Sequence, residues 1–87
     1  MKIDAAEVFK SLSHPQRLQI LRLLEKKPLR VSEIMTKLPL KQAAVSQHIK
    51  ILYFSGLVRR ERKGNSIYYH ITELGRRALK AEEVLNV

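Results

Sequence analysis

The sequence of 87 residues contains no cysteine and no tryptophan, and it has only three glycines and three prolines. The lack of cysteine excludes disulfides, iron–sulfur clusters, thiolate zinc sites and thiol nucleophiles. Uninterrupted apolar runs are a few residues long, far short of the roughly 20 that span a bilayer. The first residues, MKIDAAEVFKSL, have an acid at position 4 and no long apolar stretch. We therefore expect no signal peptide, no membrane-spanning segment and a cytoplasmic protein.

Patterns that indicate catalysis or metal binding are also missing from the sequence. It has no paired carboxylates on one predicted helix face, no glycine-rich phosphate loop and no nucleophile with a neighbouring base. The histidines His14, His48 and His70 lack the close spacing of metal ligands. We expect His14 to cap a helix start, His48 to be a structural residue on an apolar helix side, and His70 to be exposed on a strand. The sequence thus predicts neither an enzyme nor a bound cofactor or metal.

Positive charge is the strongest compositional feature that is present. Lysine and arginine total 17 against eight acidic residues, which gives a net charge of +9. Between Lys41 and Lys63 there are six basic residues and one acid, so this quarter of the chain carries +5 of that excess. A small surface with this charge points to a polyanionic partner, most commonly nucleic acid. On charge alone, an anionic membrane or an acidic protein stays open.

The first half of the chain reads as a series of helices within a single domain, residues 1–87. Asp4 suits the N-cap of a first helix. Pro15 begins a second helix that runs to about Lys26, and its wide apolar face is typical of a central helix packed on two sides. The segment 29–31 is too short to assign beyond a single β-bridge. A third helix is expected from Glu33 to Leu38 with Ser32 as its cap.

The remaining pattern predicts a helix-turn-helix followed by a wing. A fourth helix runs from about Gln42 to Phe54, so that residues 32–54 form the helix-turn-helix, and Gly56 ends it in a left-handed conformation. Residues 57–71 then change to a period of two around Gly64-Asn65, which indicates a hairpin whose turn has positive φ angles. Thr72 caps a last helix. The expected fold is mainly α with a small β-hairpin, a winged helix-turn-helix.

One side of the fourth helix carries amides, a hydroxyl and ammonium groups but no carboxylate. Glutamine can contact adenine in a bidentate manner, serine can bond a base or a phosphate, and lysine contacts phosphates. Such a face could also be an ordinary solvated one, but its place in a helix-turn-helix favours DNA contact. The residues predicted to contact DNA from this helix are Lys41, Gln42, Ala43, Ser46, Gln47 and Lys50.

The predicted wing supplies a second set of polar and basic side chains. If Gly64-Asn65 is the turn, Arg60 and Arg62 share one face of the hairpin with Ile67 and Tyr69. Side chains at the tip could reach phosphates or the adjacent minor groove. The residues predicted to contact DNA from the wing are Arg60, Arg62, Lys63, Asn65 and Ser66.

Three motifs in the right order resemble one family of regulators. They are HPQR at 14–17, VSQHIKIL at 45–52, and GLV at 56–58 followed by a basic hairpin that ends in Tyr68-Tyr69. The stretch from Lys10 to Thr72 is similar to the ArsR family of winged-helix transcriptional repressors. The resemblance implies a homodimer that binds an imperfect inverted repeat in double-stranded DNA and represses transcription.

The resemblance also implies that the first and last helices, within residues 1–13 and 73–87, form the dimer interface. These helices carry apolar stripes that have little else to pack on in so short a chain. The expected interface residues are Ala5, Val8, Phe9, Leu12, Leu74, Ala78, Ala81 and Leu85.

The sequence departs from the family pattern at several positions. Lys41 and Ala43 flank the glutamine where the family often has serine, which leaves the base preference open. The third helix lacks the cysteine pair of metal-sensing members, and the last helix offers only glutamates, so metal sensing does not carry over and no small-molecule effector is assigned. Two alternatives keep the fold: a basic architectural protein with little sequence preference, and a module that binds an acidic protein.

Overall fold

The computed structural model describes residues 4–85, so the outermost parts of the two expected dimerisation segments, residues 1–3 and 86–87, lie outside the described residues. Residues 4–85 form five helices and one antiparallel two-stranded hairpin, which confirms the predicted fold class. In chain order the elements are α1 (Ala5–Leu12), α2 (Pro15–Lys26), α3 (Val31–Lys37), α4 (Gln42–Phe54), β1 (Val58–Lys63), β2 (Ser66–Ile71) and α5 (Glu73–Leu85).

Side-chain caps begin the first and last helices, as the sequence predicts. The carboxylate of Asp4 accepts a hydrogen bond from the Ala6 amide at 2.9 Å. The Thr72 hydroxyl accepts one from the Gly75 amide at 3.0 Å and donates to the Gly56 carbonyl at 2.7 Å. Each cap satisfies an amide that has no partner within its helix. Thr72 therefore fixes the start of α5 to the turn that follows α4.

The predicted start of α3 is wrong by two residues. The helix begins at Val31 with Arg30 as its N-cap, and Ser32 lies exposed in the first turn. The Glu33 side chain reaches back and accepts the Arg30 amide at 2.9 Å, so the cap comes from within the helix. This bond, with a second from the Arg30 guanidinium, holds the pKa of the Glu33 carboxyl below its usual range. At the other end Leu38 has left the helix and is extended.

The centre of the core is α2, as its wide apolar face predicts. This helix packs against α1, α4, α5 and β2. Because it is covered on several sides, Ile20 and Leu21 have no exposed surface. The other fully or nearly fully buried apolar side chains are Leu24, Leu29, Ile34, Val45, Ile49, Leu52, Leu57, Val58 and Leu79.

The hairpin has the predicted two-residue turn. Lys63 pairs with Ser66 across it, and the register places Arg60 opposite Tyr69 and Arg62 opposite Ile67, which confirms the predicted faces. Gly64 has φ of +60°, whereas Asn65 does not have a positive φ, so the expectation of positive angles throughout the turn is wrong. Glycine alone in the first central position is the pattern of a type II′ turn.

Two further local predictions concern the ends of α4 and α2. Gly56 has φ of +80° just after α4, which confirms the left-handed stop. After α2, Leu29 forms one isolated bridge to Tyr69, with amide-to-carbonyl distances of 3.2 and 2.8 Å. The bridge ties the loop between α2 and α3 to the outer side of β2.

Candidate nucleic-acid interface

The exposed face of α4 contains every residue of that helix predicted to contact DNA. Its apolar side packs into the core through Val45, Ile49 and Leu52, with His48 beside them. Because a helix repeats every 3.6 residues, the intervening polar residues point away from the core. The exposed residues among those predicted are Lys41, which is the N-cap of α4, and Gln42, Ala43, Ser46, Gln47 and Lys50, and Phe54 at the end of the helix is exposed as well. The structure thus presents amides, a hydroxyl and two ammonium groups on one surface, which we call the α4 face.

The carboxyl-terminal end of α4 is held to α1. The Ser55 amide and hydroxyl both donate to the Ile51 carbonyl, at 3.0 and 2.8 Å. The same hydroxyl lies 2.5 Å from that of Ser11, which is 2% exposed on α1. These bonds satisfy polar groups that would otherwise be costly to bury. They also fix the position of α4 relative to the first helix.

His48 is a buried structural residue, as its place on the apolar side of α4 predicts. It is 8% exposed, and its ring bonds to Arg17 and Gln16 of α2, both at 3.2 Å. The His14 ring lies 4.6 Å away, centroid to centroid. Burial lowers the pKa of the His48 imidazole, and the nearby His14 and Arg17 lower it further. α4 is therefore attached to α2 through polar bonds within an apolar setting.

The expected capping role of His14 is wrong. Its side chain makes no capping hydrogen bond at the start of α2. The ring instead turns inward against His48, and its Nδ1 atom is buried without a hydrogen-bond partner among residues 4–85. Pro15, the first residue of α2, has no amide hydrogen, so one of the amides left without a partner at a helix start is absent.

The wing presents its basic side chains in defined positions. The Arg60 guanidinium lies 4.9 Å from the centre of the Tyr53 ring, which links the wing to α4. Nε of Arg62 donates to the Gly64 carbonyl at 3.2 Å, close to the turn. Nζ of Lys63 lies 3.8 Å from the Glu61 carboxylate. All three cations are exposed, as is Asn65, whereas Ser66 is half-buried.

The prediction that His70 is exposed is wrong. It is half-buried, and its Nε2 atom lies 2.9 Å from the Glu61 carboxylate. The register pairs Arg59 with His70 and Glu61 with Tyr68, so Glu61 and His70 are diagonal neighbours on one face of the hairpin. This hydrogen bond is the main reason that the pKa of the Glu61 carboxyl lies below its usual range. Glu61, the one acid of the wing, is therefore hydrogen-bonded within the hairpin.

The first and last helices form an apolar groove. Seven of the eight residues predicted for the dimer interface line it, and the eighth, Leu85, lies beside its end next to Phe9. Phe9 and Leu85 are strongly exposed, at 60% and 76%. The groove residues are Ala5, Val8, Phe9, Leu12, Leu74, Arg77, Ala78 and Ala81, of which Arg77 alone is charged.

The prediction that the apolar stripes of α1 and α5 have little else to pack on is wrong at three positions. Val8, Leu12 and Ala78 are buried and belong to the core of a single chain. They have a place to pack because α1 and α5 contact each other as well as α2. The packing of these three residues is therefore explained within one chain, and the large apolar side chains of α1 and α5 that stay exposed are Phe9, Val84 and Leu85.

Several side chains that position α4 and the wing were not predicted from the sequence. Arg17 and Gln16 are 31 and 32 positions from His48, and Tyr53 was not assigned as the partner of Arg60. No periodic pattern links residues so far apart. The only local signal was that Gln16 and Arg17 fall within the HPQR motif.

Residues 4–85 contain neither a membrane-spanning helix nor a cluster of metal-binding side chains. Between residues 4 and 85, no helix has the length and apolar character needed to cross a membrane. Within the same range, no three histidine, aspartate or glutamate side chains are grouped so that they could hold a metal ion.

Comparison with known proteins places the sequence among regulators. The profile of the bacterial regulatory proteins of the arsR family matches residues 14–60. The chain is 42% identical over 69 residues to the transcriptional repressor PagR of Bacillus anthracis, covering 78% of this chain and 69% of that protein. It is 34% identical over 68 residues to the transcriptional activator HlyU of Vibrio cholerae, covering 78% and 63%.

A solved structure agrees with the fold over nearly the whole chain. It is the homodimeric winged helix-turn-helix DNA-binding domain of a possible ArsR-family transcriptional regulator from Mycobacterium bovis. The two superimpose with a TM-score of 0.85 and 33% identity, covering 93% of this chain and 76% of that one.

Proposed function

Because the chain belongs to the arsR family of bacterial regulatory proteins, we propose that it is a homodimeric repressor that binds an inverted-repeat operator in double-stranded DNA. The observation that carries the proposal is the exposed α4 face, which has no carboxylate and stands beside a basic wing. PagR, named a repressor, is more similar to this chain than HlyU, named an activator, which favours repression.

Each part of the interface has a chemical role in this proposal. Gln42, Ser46 and Gln47 present donors and acceptors for base edges in the major groove. Lys41 and Lys50 flank them as phosphate contacts. The methyl group of Ala43 suits apolar contact with thymine. The wing residues Arg60, Arg62, Lys63, Asn65 and Ser66 contact phosphates or the minor groove, since the wing is joined to α4 through Tyr53.

The dimer in this proposal forms through the groove of α1 and α5. Phe9 and Leu85 are large apolar side chains that a single chain leaves in water. Burying apolar area stabilises association by about 25 cal/mol per Å². Two-fold pairing would cover the same patch on both subunits and present two α4 faces to DNA, as an inverted repeat requires.

Selection of bound duplexes from a random DNA pool tests the proposal at near-physiological salt. We expect enrichment of an inverted repeat whose half-sites lie about one helical turn apart. Tight binding without enrichment of any sequence would contradict recognition of a specific operator. It would favour an architectural protein, whose DNA binding depends steeply on salt and shows little sequence specificity. Failure to retain any DNA would contradict the proposal and favour a protein-binding module.

Replacement of Gln47 or Gln42 by alanine should change which sequence is preferred. A bidentate amide contact to adenine discriminates against other bases by about 1–3 kcal/mol, and alanine removes it. Affinity for the selected operator should fall accordingly, while affinity for unrelated DNA stays the same. Gln19→Ala is the matched control, because Gln19 is an exposed glutamine on α2. Unchanged base preference in both α4 variants would show that the α4 face does not contact base edges.

Phe9→Glu should convert the dimer to a monomer. The substitution places two carboxylates in the proposed apolar interface, and burying unpaired charge costs several kcal/mol. We expect light scattering at micromolar concentration to give the mass of one chain, against two for the unaltered protein. Phe54→Glu is the control, because Phe54 is 71% exposed on α4 and lies outside the groove. An unaltered protein that is itself monomeric would contradict the interface.

A further inference from the structure

A polar contact lies buried behind the α4 face, and the proposed DNA contacts do not use it. His48 projects from the inner side of α4 toward α2, where Nε of Arg17 lies 3.2 Å from its Nδ1 atom and Oε1 of Gln16 lies 3.2 Å from its Nε2 atom. Arg17 is held in turn by the Ser11 carbonyl of α1, 3.4 Å from Nη1. His48 is thus the residue through which α4 is bonded to α2.

The two bonds fix the protonation state of the His48 ring. A guanidinium only donates, so Nδ1 must accept the hydrogen bond from Arg17 and carries no proton. The ring proton is then on Nε2, which donates to the amide oxygen of Gln16. A neutral imidazole in this tautomer satisfies both partners. Addition of a second proton would place an N–H group against the N–H of Arg17 and break that bond.

The groups that act on the His48 ring do not stabilise its protonated form. The titratable and charged groups that act on the ring are His14, from the loop between α1 and α2, and Arg17, from α2. Both disfavour a positive charge, as does burial, and together they lower the pKa of the ring below its ordinary value of 6.5. No carboxylate is among these groups. A protonated ring relieves the conflict when the ring and Arg17 move apart.

Displacement of His48 would move the residues beside it. Gln47 and Ser46 precede it directly on α4, and base readout depends on their placement to within a fraction of an ångström. We infer that His48 is a positioning residue for the α4 face and that full DNA affinity requires its ring to be neutral. This inference rests on the proposed DNA-binding function. DNA binding should therefore weaken in acid.

The direction of this effect distinguishes it from simple electrostatics. Protonation of histidines adds positive charge, and added positive charge strengthens binding to phosphates. A protein whose histidines acted only through charge would bind DNA more tightly as the pH falls. Positioning by His48 predicts the opposite sign, with full affinity at neutral pH and the loss appearing below pH 6.5, since the pKa of the folded ring lies below that value.

The test measures affinity for the selected operator by fluorescence anisotropy from about pH 7.5 to about pH 5 at constant ionic strength. We expect the affinity of the unaltered protein to fall severalfold as the pH is lowered, whereas added charge alone would raise it. His48→Gln has a side chain that does not titrate, so its affinity should lack this loss. His70→Gln is the control, because it removes a histidine that bonds to Glu61 in the wing, and it should keep the acid loss.

Several outcomes would overturn the inference. The inference would be wrong if DNA affinity rose in acid, or if it fell equally in the unaltered protein and in His48→Gln. In both cases the proposed function would stand. Loss of the circular dichroism signal over the same pH range would attribute the effect to unfolding. Failure to bind DNA at any pH would remove the proposed function and the inference with it.

A second measurement needs no variant. Long-range proton–nitrogen correlation spectra of the unaltered protein report which ring nitrogen carries the proton. We expect a proton on Nε2 of His48 at neutral pH, and a proton on Nδ1 would overturn the inference.

Discussion

Gly75→Ala should lower the free energy of unfolding by about 3 kcal/mol, the upper part of the usual range for overpacking. Gly75 is buried in the first turn of α5. A Cβ atom there would overlap the Leu57 carbonyl oxygen and lie 2.7 Å from Cγ1 of Ile71. Leu57 is fully buried and its carbonyl accepts the Thr72 amide at 3.1 Å, so the backbone cannot move aside without breaking that bond.

The sign of this effect is opposite to that of an ordinary helix position. Alanine in place of glycine inside a helix usually stabilises by about 1 kcal/mol. Urea denaturation followed by circular dichroism measures the difference. Arg76→Ala changes the next, exposed residue and should alter stability by less than about 0.5 kcal/mol. A Gly75→Ala protein as stable as the unaltered one would show that α5 does not approach the base of the wing this closely.

Charge reversal at the wing tip, Arg62→Glu with Lys63→Glu, should weaken DNA binding by about 100-fold or more near physiological salt. Both side chains are exposed next to the turn, where the proposal places phosphate contacts. Removing two such contacts should also lower the slope of log affinity against log salt by about 2. Titrations at several salt concentrations measure both quantities.

A matched variant separates the wing from the overall charge. Arg76→Glu with Lys80→Glu changes the net charge by the same amount at two exposed positions of α5. Since long-range fields are screened within about 8 Å at this ionic strength, we expect less than about tenfold loss. Equal losses in the two variants would assign the effect to net charge and contradict a wing that touches DNA.

Features set by neighbouring residues could be predicted from the sequence. Pro15 begins α2 because proline restricts its own backbone, and Gly56 ends α4 and Gly64 enters the hairpin turn because glycine readily takes a positive φ. The start of α3 was missed for a related reason. Ser32 is a common cap, but the Glu33 side chain already binds the Arg30 amide and leaves Ser32 in the helix.

Features that depend on tertiary contact could not be predicted in this way. A helical wheel identifies the apolar sides of α1 and α5 but does not say what covers them. Val8 and Ala78 are covered within the monomer, whereas Phe9 on the same stripe is left in water. The bond between Arg17 and His48 joins residues 31 positions apart, and no local rule reaches that far.

The wing strand β1 has a further consequence for self-association. β1 and β2 form a two-stranded sheet in the part of the chain that the structure describes, and Leu29 bonds to the outer side of β2, so the outer edge of β1 is left unpaired. Exposed strand edges invite strand pairing between molecules, and charged side chains oppose it. Five of the six residues of β1, VRRERK, are charged. We therefore expect the charges of β1 to oppose aggregation, and reversing the charge of its arginines to preserve that protection better than replacing them with alanine.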